Sequence, residues 1–326
     1  MKSVRPQVVI SQCIEGDAVR WDGGVIGSEF VARLKPHVDD IRVCPEIEIG
    51  LSVPRDPLRI IREADQLRLI QPSTEQDYTE KMQSFIKSFL DALPVVDGFI
   101  LVHRSPTSAL RDARIYPNRK LKVAHIAKGP GFFGRAVLER FPHLALEDVG
   151  RLRNSRIKAH FLTKLFTLTR FRHAREGQMK DLIQFHTENK LLLKAYHQKE
   201  MRVLGRIVAN PERKPLQELV AGYQEHLFRA LQRPPRCGSN INVLLNTLGY
   251  FSEQLTGPEK QFFLDSVEQY RDARLPLSVV VNMLRLWQSK YQNRYLSNQT
   301  FFMPYPAELM DIDVFTAYCD GKDYWS

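Results

Sequence analysis

The period of the apolar residues changes once along this chain, near Gly150, and that change constrains the fold more than any other feature. Before it, short apolar runs bounded by turn residues alternate with stretches of helical spacing. Gln7–Ser11, 41–44 and 96–102 read as strands, and a further strand is expected within 59–70. Residues 28–38 and 79–93 carry apolar side chains every three or four positions. In the second of these Met82, Phe85, Ile86, Phe89 and Leu90 fall on one face of a helix. Strands alternating with helices predict an α/β fold with a mainly parallel sheet and helices on its faces. After Gly150 the strand pattern does not return. Six stretches (152–168, 178–208, 216–231, 241–255, 259–270 and 277–295) have helical period, broken at Asn210-Pro211, Pro234-Pro235 and Gly257-Pro258. The expected organisation is an α/β domain over 1–150 followed by an all-α domain over 151–326. The second domain is expected to close on an irregular tail marked by Pro304, Pro306, Tyr318 and Trp325.

Charge divides at the same place. The chain carries a net charge of +10. Residues 1–150 hold 21 Lys/Arg against 20 Asp/Glu, whereas 151–326 hold 26 against 17. Most of the excess lies in 151–214, with 16 basic and 5 acidic residues. A local cationic excess points to nucleic acid, a nucleotide or an acidic protein partner, or else to a solvated face. No apolar run approaches the roughly 20 residues that span a bilayer, and the apolar run after Arg5 stops at Ser11, too short for a signal-peptide core. The expectation is a cytoplasmic protein without membrane contact. The four cysteines, at 13, 44, 237 and 319, form no C-x-x-C pair and no disulfide framework. Each is a buried apolar filler, a free thiol or a metal ligand.

In a parallel sheet, ligand sites form from the loops beyond the carboxyl ends of the strands. Three such loops hold the polar residues of interest. The first runs from Ser11 through Cys13, Arg20 and Asp22 to Gly24. The second contains Cys44, Pro45, Glu46 and Arg55. The third reads His103-Arg104-Ser105-Pro106-Thr107-Ser108-Ala109. Glu46, beside Cys44, is a candidate proton donor or water-activating base, or a solvated loop carboxylate. Asp22 orients a ligand or caps a turn, and Ser105 hydrogen-bonds a substrate or serves as a turn hydroxyl. Arg20, Arg55 and Arg104 bind an anionic group through their planar guanidinium groups or pair with Asp22 and Glu46. Gly129-Pro130-Gly131 matches no phosphate-loop pattern and is read as a turn.

These three segments resemble the thiouracil desulfurase-like domain family, in the version fused to a helical domain in bacterial YbgA-type proteins. The resemblance continues through 170–210, Asn242 to Phe251 (NVLLNTLGYF) and Phe301 to Met310 (FFMPYPAELM), so it covers nearly the whole chain. It implies desulfuration of a thiolated pyrimidine as nucleobase, nucleoside or RNA. It also implies a 4Fe-4S cluster on three cysteines, two of which match Cys13 and Cys44. The third belongs at Ser108, followed by a glycine where this chain has Ala109. Clusters require soft thiolate ligands, usually four, or three when one iron is open. A serine hydroxyl is hard and poorly acidic, a weaker ligand than a thiolate, so the missing cysteine stands against the cluster unless Ser108 or His103 completes the ligand set. Without one, the thiols are remnants, a two-thiolate site for another metal, or a redox pair. Asn246 stands where the family is expected to carry histidine.

In the helical half, His160, His173, His186 and His197 are too widely spaced for a helical zinc motif. Aromatics among its cations (Phe161, Phe166, Phe171, Phe185, Tyr196) fall at core spacing, although stacking on bases is the alternative. Three readings follow: a desulfurase-like enzyme, a non-catalytic nucleotide- or nucleic-acid-binding accessory protein, and a purely structural or regulatory partner protein.

Overall fold

Strand β1 (Gln7–Ser11) is apolar on both faces, with Val8, Val9 and Ile10 fully buried, and so takes the centre of a parallel sheet. A computed structural model describes residues 5–64 and 66–310. On one side β1 pairs in parallel with β2 (Asp39–Val43). On the other it pairs with β6 (Gly98–Leu101), which in turn pairs with β9 (Ala145–Asp148). The order is β2-β1-β6-β9, so the chain reverses direction across the sheet between β1 and β6. A crevice is expected at that switch point. Ser11 is in register with Val43 and Ile10 with Ile100, which brings the loops after β1, β2 and β6 to one end.

The first helix, α1 (Glu29–Leu34), starts at Ser28, whose hydroxyl accepts from the Val31 amide. A single helical turn, α2 (Pro45–Glu48), begins directly after Cys44. The stretch expected to hold one strand holds two, β3 (Arg59–Glu63) and β4 (Gln66–Gln71), which form an antiparallel pair. With β5 (Gln76–Asp77), β7 (Ala113–Tyr116) and β8 (Ala127–Gly129) they build a second, mixed sheet in the order β5-β4-β3-β7-β8. Helices α3 (Thr79–Ala92) and α4 (Phe132–Arg140) cover the first sheet. Met82, Ile86, Leu90, Phe133 and Val137 pack there against Val9, Phe99 and Leu101. Gly129-Pro130-Gly131 is more than a turn, because it ends β8 and leads into α4.

After a 3-10 turn over Arg151–Arg153, the described residues are helical: α5 (Ser155–Arg175), α6 (Met179–Ala209), α7 (Leu216–Ala230), α8 (Cys237–Leu248), α9 (Gly257–Arg271), α10 (Leu277–Tyr291) and α11 (Arg294–Ser297). Two compact units result. One comprises the described residues to Thr169 together with 306–310, and the other is Arg170–Tyr305, so the division falls inside α5. The helical unit has its own core, built on Leu244, Phe251, Phe263, Leu284 and Trp287. None of its described helices is long and apolar enough to cross a membrane. Tyr318, Trp325 and Cys319 lie outside the described residues.

The 31 residues of α6 do not form one rod. His197 leaves helical geometry (φ −157°, ψ 92°), and its Nδ1 accepts from the Glu200 amide. His186 and Gly205 would be about 28 Å apart on a straight helix. Instead, a Cβ at Gly205 would lie 3.4 Å from His186 Nε2. The two halves therefore fold back against one another at His197.

Candidate functional site

The loop after β1 is held by its backbone. The Gln12 amide donates to Val43 O (2.9 Å), and the Ile26 amide donates to Cys13 O (2.7 Å). The Arg42 guanidinium reaches Ile14 O at 2.6 Å. Arg55 joins this loop to the next one: its amide donates to Trp21 O (2.8 Å) and its Nη1 donates to Val19 O (3.1 Å). The third loop is braced from behind by the start of α4. Amides of Gly131, Phe132 and Gly134 donate to the carbonyls of Ala109, Pro106 and Thr107. A Cβ at Gly134 would come within 2.1 Å of Ala109 O, so glycine is required for this approach.

Together the loops enclose a cavity of about 700 Å³. Cys13, Cys44, Glu46, Ser105, Ser108, Arg20, Arg55 and Arg104 all line it. Asp22 does not. Its carboxylate accepts from the Gly24 amide (3.1 Å) and pairs with Arg20 (3.4 Å), the bonding of a turn residue. Cys237 is an exposed thiol in the helical unit.

Glu46 is the centre of the bonding. Thr107 Oγ1 donates to its Oε1 at 2.6 Å, and the Cys44 thiol donates to its Oε2 at 3.5 Å. The Arg55 guanidinium lies 3.9 Å from Oε2. Because the Thr107 proton goes to Glu46, the Ser105 hydroxyl must donate to Thr107 Oγ1 (2.8 Å). Ser105 Oγ in turn accepts from the amides of Thr107 and Ser108. A directed chain therefore runs from Ser105 through Thr107 to the carboxylate. Thr107 is completely buried and has no role in the sequence reading, although its hydroxyl lies within the third motif.

Burial, and next to it the Glu46 charge, push the Cys13 thiol up to about 11 and the Cys44 thiol up to about 12. Both are therefore protonated at neutral pH. Two buried polar atoms of the lining, Ser11 Oγ and His103 Nδ1, have no hydrogen-bond partner among the described residues. Such atoms are rare in folded proteins.

The cavity is also strongly cationic. Six arginines line it, at 20, 55, 59, 104, 114 and 153, and Glu46 is the only carboxylate among the lining residues. Arg55 is committed to loop carbonyls and Glu46, and Arg59 stacks 4.5 Å over the Tyr116 ring. The side chains of Arg104, Arg114 and Arg153 have no hydrogen bond or ion pair among the described residues. Trp21, 48% exposed, adds an open aromatic face to the lining. Arg114, Arg153 and Trp21 are absent from the sequence reading.

The donor set does not fit a cluster held by three thiolates. Cys13 and Cys44 are present, but the third position offers only the Ser108 hydroxyl, 3.4 Å from Thr107 Oγ1. Among the described residues, no three His, Cys, Asp or Glu side chains are grouped to hold a metal ion.

Comparison with known proteins follows the two-unit division. The profile of the 2-thiouracil desulfurase family matches residues 8–149, and that of a protein family of unknown function, DUF1722, matches 190–306. The uncharacterized protein YbgA of Escherichia coli (strain K12) is 26% identical over 148 residues, which is 44% of this chain and 88% of that protein. A solved structure of the [4Fe-4S]-dependent thiouracil desulfidase TudS is 24% identical, covering 46% of this chain and 94% of that one, with a TM-score of 0.37.

Proposed function

From a chain of YbgA-type architecture, a 2-thiouracil desulfurase domain joined to a DUF1722 domain, we propose that the cavity at the end of the parallel sheet removes sulfur from a thiolated pyrimidine that carries phosphate, as a nucleotide or within RNA. The observation that carries this reading is the coexistence in one cavity of the Ser105–Thr107–Glu46 chain, two buried thiols and three uncommitted arginines. Arg104, Arg114 and Arg153 suit a phosphate group by charge and planar geometry. Trp21 offers a face on which a pyrimidine stacks.

The side chains present support a redox-neutral exchange of sulfur for oxygen. Water adds to the carbon that bears sulfur, and Glu46 takes the water proton. The carbon–sulfur bond then breaks: Glu46 returns that proton to the sulfur and takes the proton of the added hydroxyl as the carbonyl forms, so that thione and water give carbonyl and hydrosulfide, with one proton left on Glu46 for release to solvent. Thr107 and Arg55 hold the Glu46 carboxylate in place, and the Cys13 thiol is a hydrogen-bond donor for the thione sulfur. No step requires an oxidant or a reductant.

The test is sulfide release, with loss of thione absorbance, from 4-thiouridine monophosphate and from free 2-thiouracil. The expected result is turnover of both, with the phosphorylated substrate held more tightly. Replacing Arg104, Arg114 and Arg153 together by alanine should raise KM for the phosphorylated substrate by about tenfold and leave the free base unchanged. Absence of sulfide from both compounds overturns the reading.

A further inference from the structure

Helix α6 keeps its carboxylates and its cations in separate roles. Asp181 accepts from the Gln178 amide, Glu200 pairs with His226 at 2.6 Å, and Glu188 is buried. All three acidic groups of the helix are thus used inside the domain. Its cations are not. Lys190, Lys194, Lys199, Arg202 and Arg206 have no hydrogen bond or ion pair among the described residues.

These cations are ordered in space. Lys190 and Lys194 are one turn apart on the outward face of the first half of α6, whose opposite face buries Leu182, Phe185 and Leu192. Lys199, Arg202 and Arg206 follow at three- and four-residue spacing on the second half, away from the face that holds Glu200 and buried Leu204. The fold-back at His197 brings the two stripes within electrostatic reach. Lys194, partly buried, is held below the usual lysine range by desolvation and by the charges of Lys190 and Arg202. Like charges gathered without counter-charges repel one another, and a polyanion relieves that repulsion.

We infer that the bent cationic face of α6 is a binding surface for the phosphate backbone of a nucleic acid. Lys190, Lys194 and Arg202 lie close enough to act on one another, and Lys199 and Arg206 continue the stripe of Arg202, an arrangement that fits a polyanion better than a single small anion. The inference concerns the helical domain alone and stands whether or not the cavity of the other domain releases sulfide.

The experiment is fluorescence anisotropy of a labelled single-stranded RNA titrated with the full chain at several salt concentrations. Engagement of about four phosphates predicts a loss of affinity of about 50-fold between 50 and 200 mM salt. The variant Lys190→Gln, Lys194→Gln, Arg202→Gln retains helix-forming side chains. It should bind at least tenfold more weakly at low salt and show a shallower salt slope. Lys81→Gln with Lys87→Gln, on the exposed face of α3, should bind as the native chain does. A second measurement is independent of variant folding: RNA should protect Lys190 and Lys194 of the native chain from acetylation. Binding by the triple variant equal to that of the native chain overturns the inference, as does unprotected acetylation at those lysines. Preference for polyglutamate over RNA of equal charge also overturns it, because it assigns the face to an acidic protein.

Discussion

Glu46 and Glu188 are both carboxylates withdrawn from solvent near an arginine, one in each domain, and their surroundings differ. Glu46 faces a cavity of about 700 Å³ whose lining includes unpartnered polar atoms and uncommitted arginines. Glu188 is closed in. Gln184 donates to its side chain at 2.8 Å, and Arg170, which burial lowers to about 10, is electrostatically coupled to it. Gln299 and Thr300 bond the residues beside it: the Thr300 amide donates to Glu188 O, Thr300 Oγ1 donates to Asn189 Oδ1, and the Leu191 amide donates to Gln299 Oε1. His186 beside it is bonded to Tyr223, itself stacked on Phe171. Polar groups bonded mainly to one another hold a fold together, even where one atom, Arg170 Nε, makes no hydrogen bond among the described residues. Polar groups that leave bonding capacity facing open volume are available to a ligand. Burial alone therefore does not distinguish a site from a core.

The strongest way to break this comparison is Glu46→Gln. It should reduce sulfide release by at least about 100-fold, the usual contribution of a positioned base, with little change in Tm. Unchanged turnover would place Glu46 with Glu188 as a structural carboxylate. The reverse variant is Tyr223→Phe, which removes the hydrogen-bond partner of His186 Nδ1. Its expected cost is about 1–3 kcal/mol, read by denaturant unfolding, with sulfide release unchanged.

A pH series gives a smaller effect. Burial, and next the Lys190 charge, lower His186 from 6.5 to about 4. The unfolded chain therefore binds a proton at this site between those values while the folded chain does not. The resulting stability is present above pH 6.5 and lost as pH falls toward 4. Thermal unfolding of the full chain should show a Tm that declines across this window, and His186→Gln should flatten the decline.

The parts of the site that lie next to strand ends were legible in the sequence. Cys13, Cys44 and the third loop each follow an apolar run, so the parallel-sheet rule placed them on one rim without knowledge of tertiary contacts. Arg114 and Arg153 were not legible. Arg114 lies on β7, a four-residue strand recruited by the distant pairing of Ile60 with Ile115. Arg153 lies in a 3-10 turn with no motif. The β3–β4 hairpin was hidden for a local reason. Ala64 takes a left-handed conformation (φ 46°) that usually calls for Gly or Asn, so the usual turn marker is missing. The break in α6 carries neither Pro nor Gly, because the His197 side chain caps the second half itself. Ser108 was legible as a departure from the desulfurase pattern, but its meaning depended on Thr107 and Glu46, whose bonding only the fold supplies.

The central claim is that this cavity removes sulfur with the side chains it has, two thiols and a carboxylate, without a cluster on three cysteines. The most direct test measures iron per chain and sulfide released from 4-thiouridine monophosphate in the same anaerobic preparation, for the native chain and for Ser108→Cys. The account predicts sulfide release by the native chain without stoichiometric iron, and iron acquired only when the third thiol is restored. Native activity that rises and falls with iron content, and disappears when the iron is chelated, would contradict it.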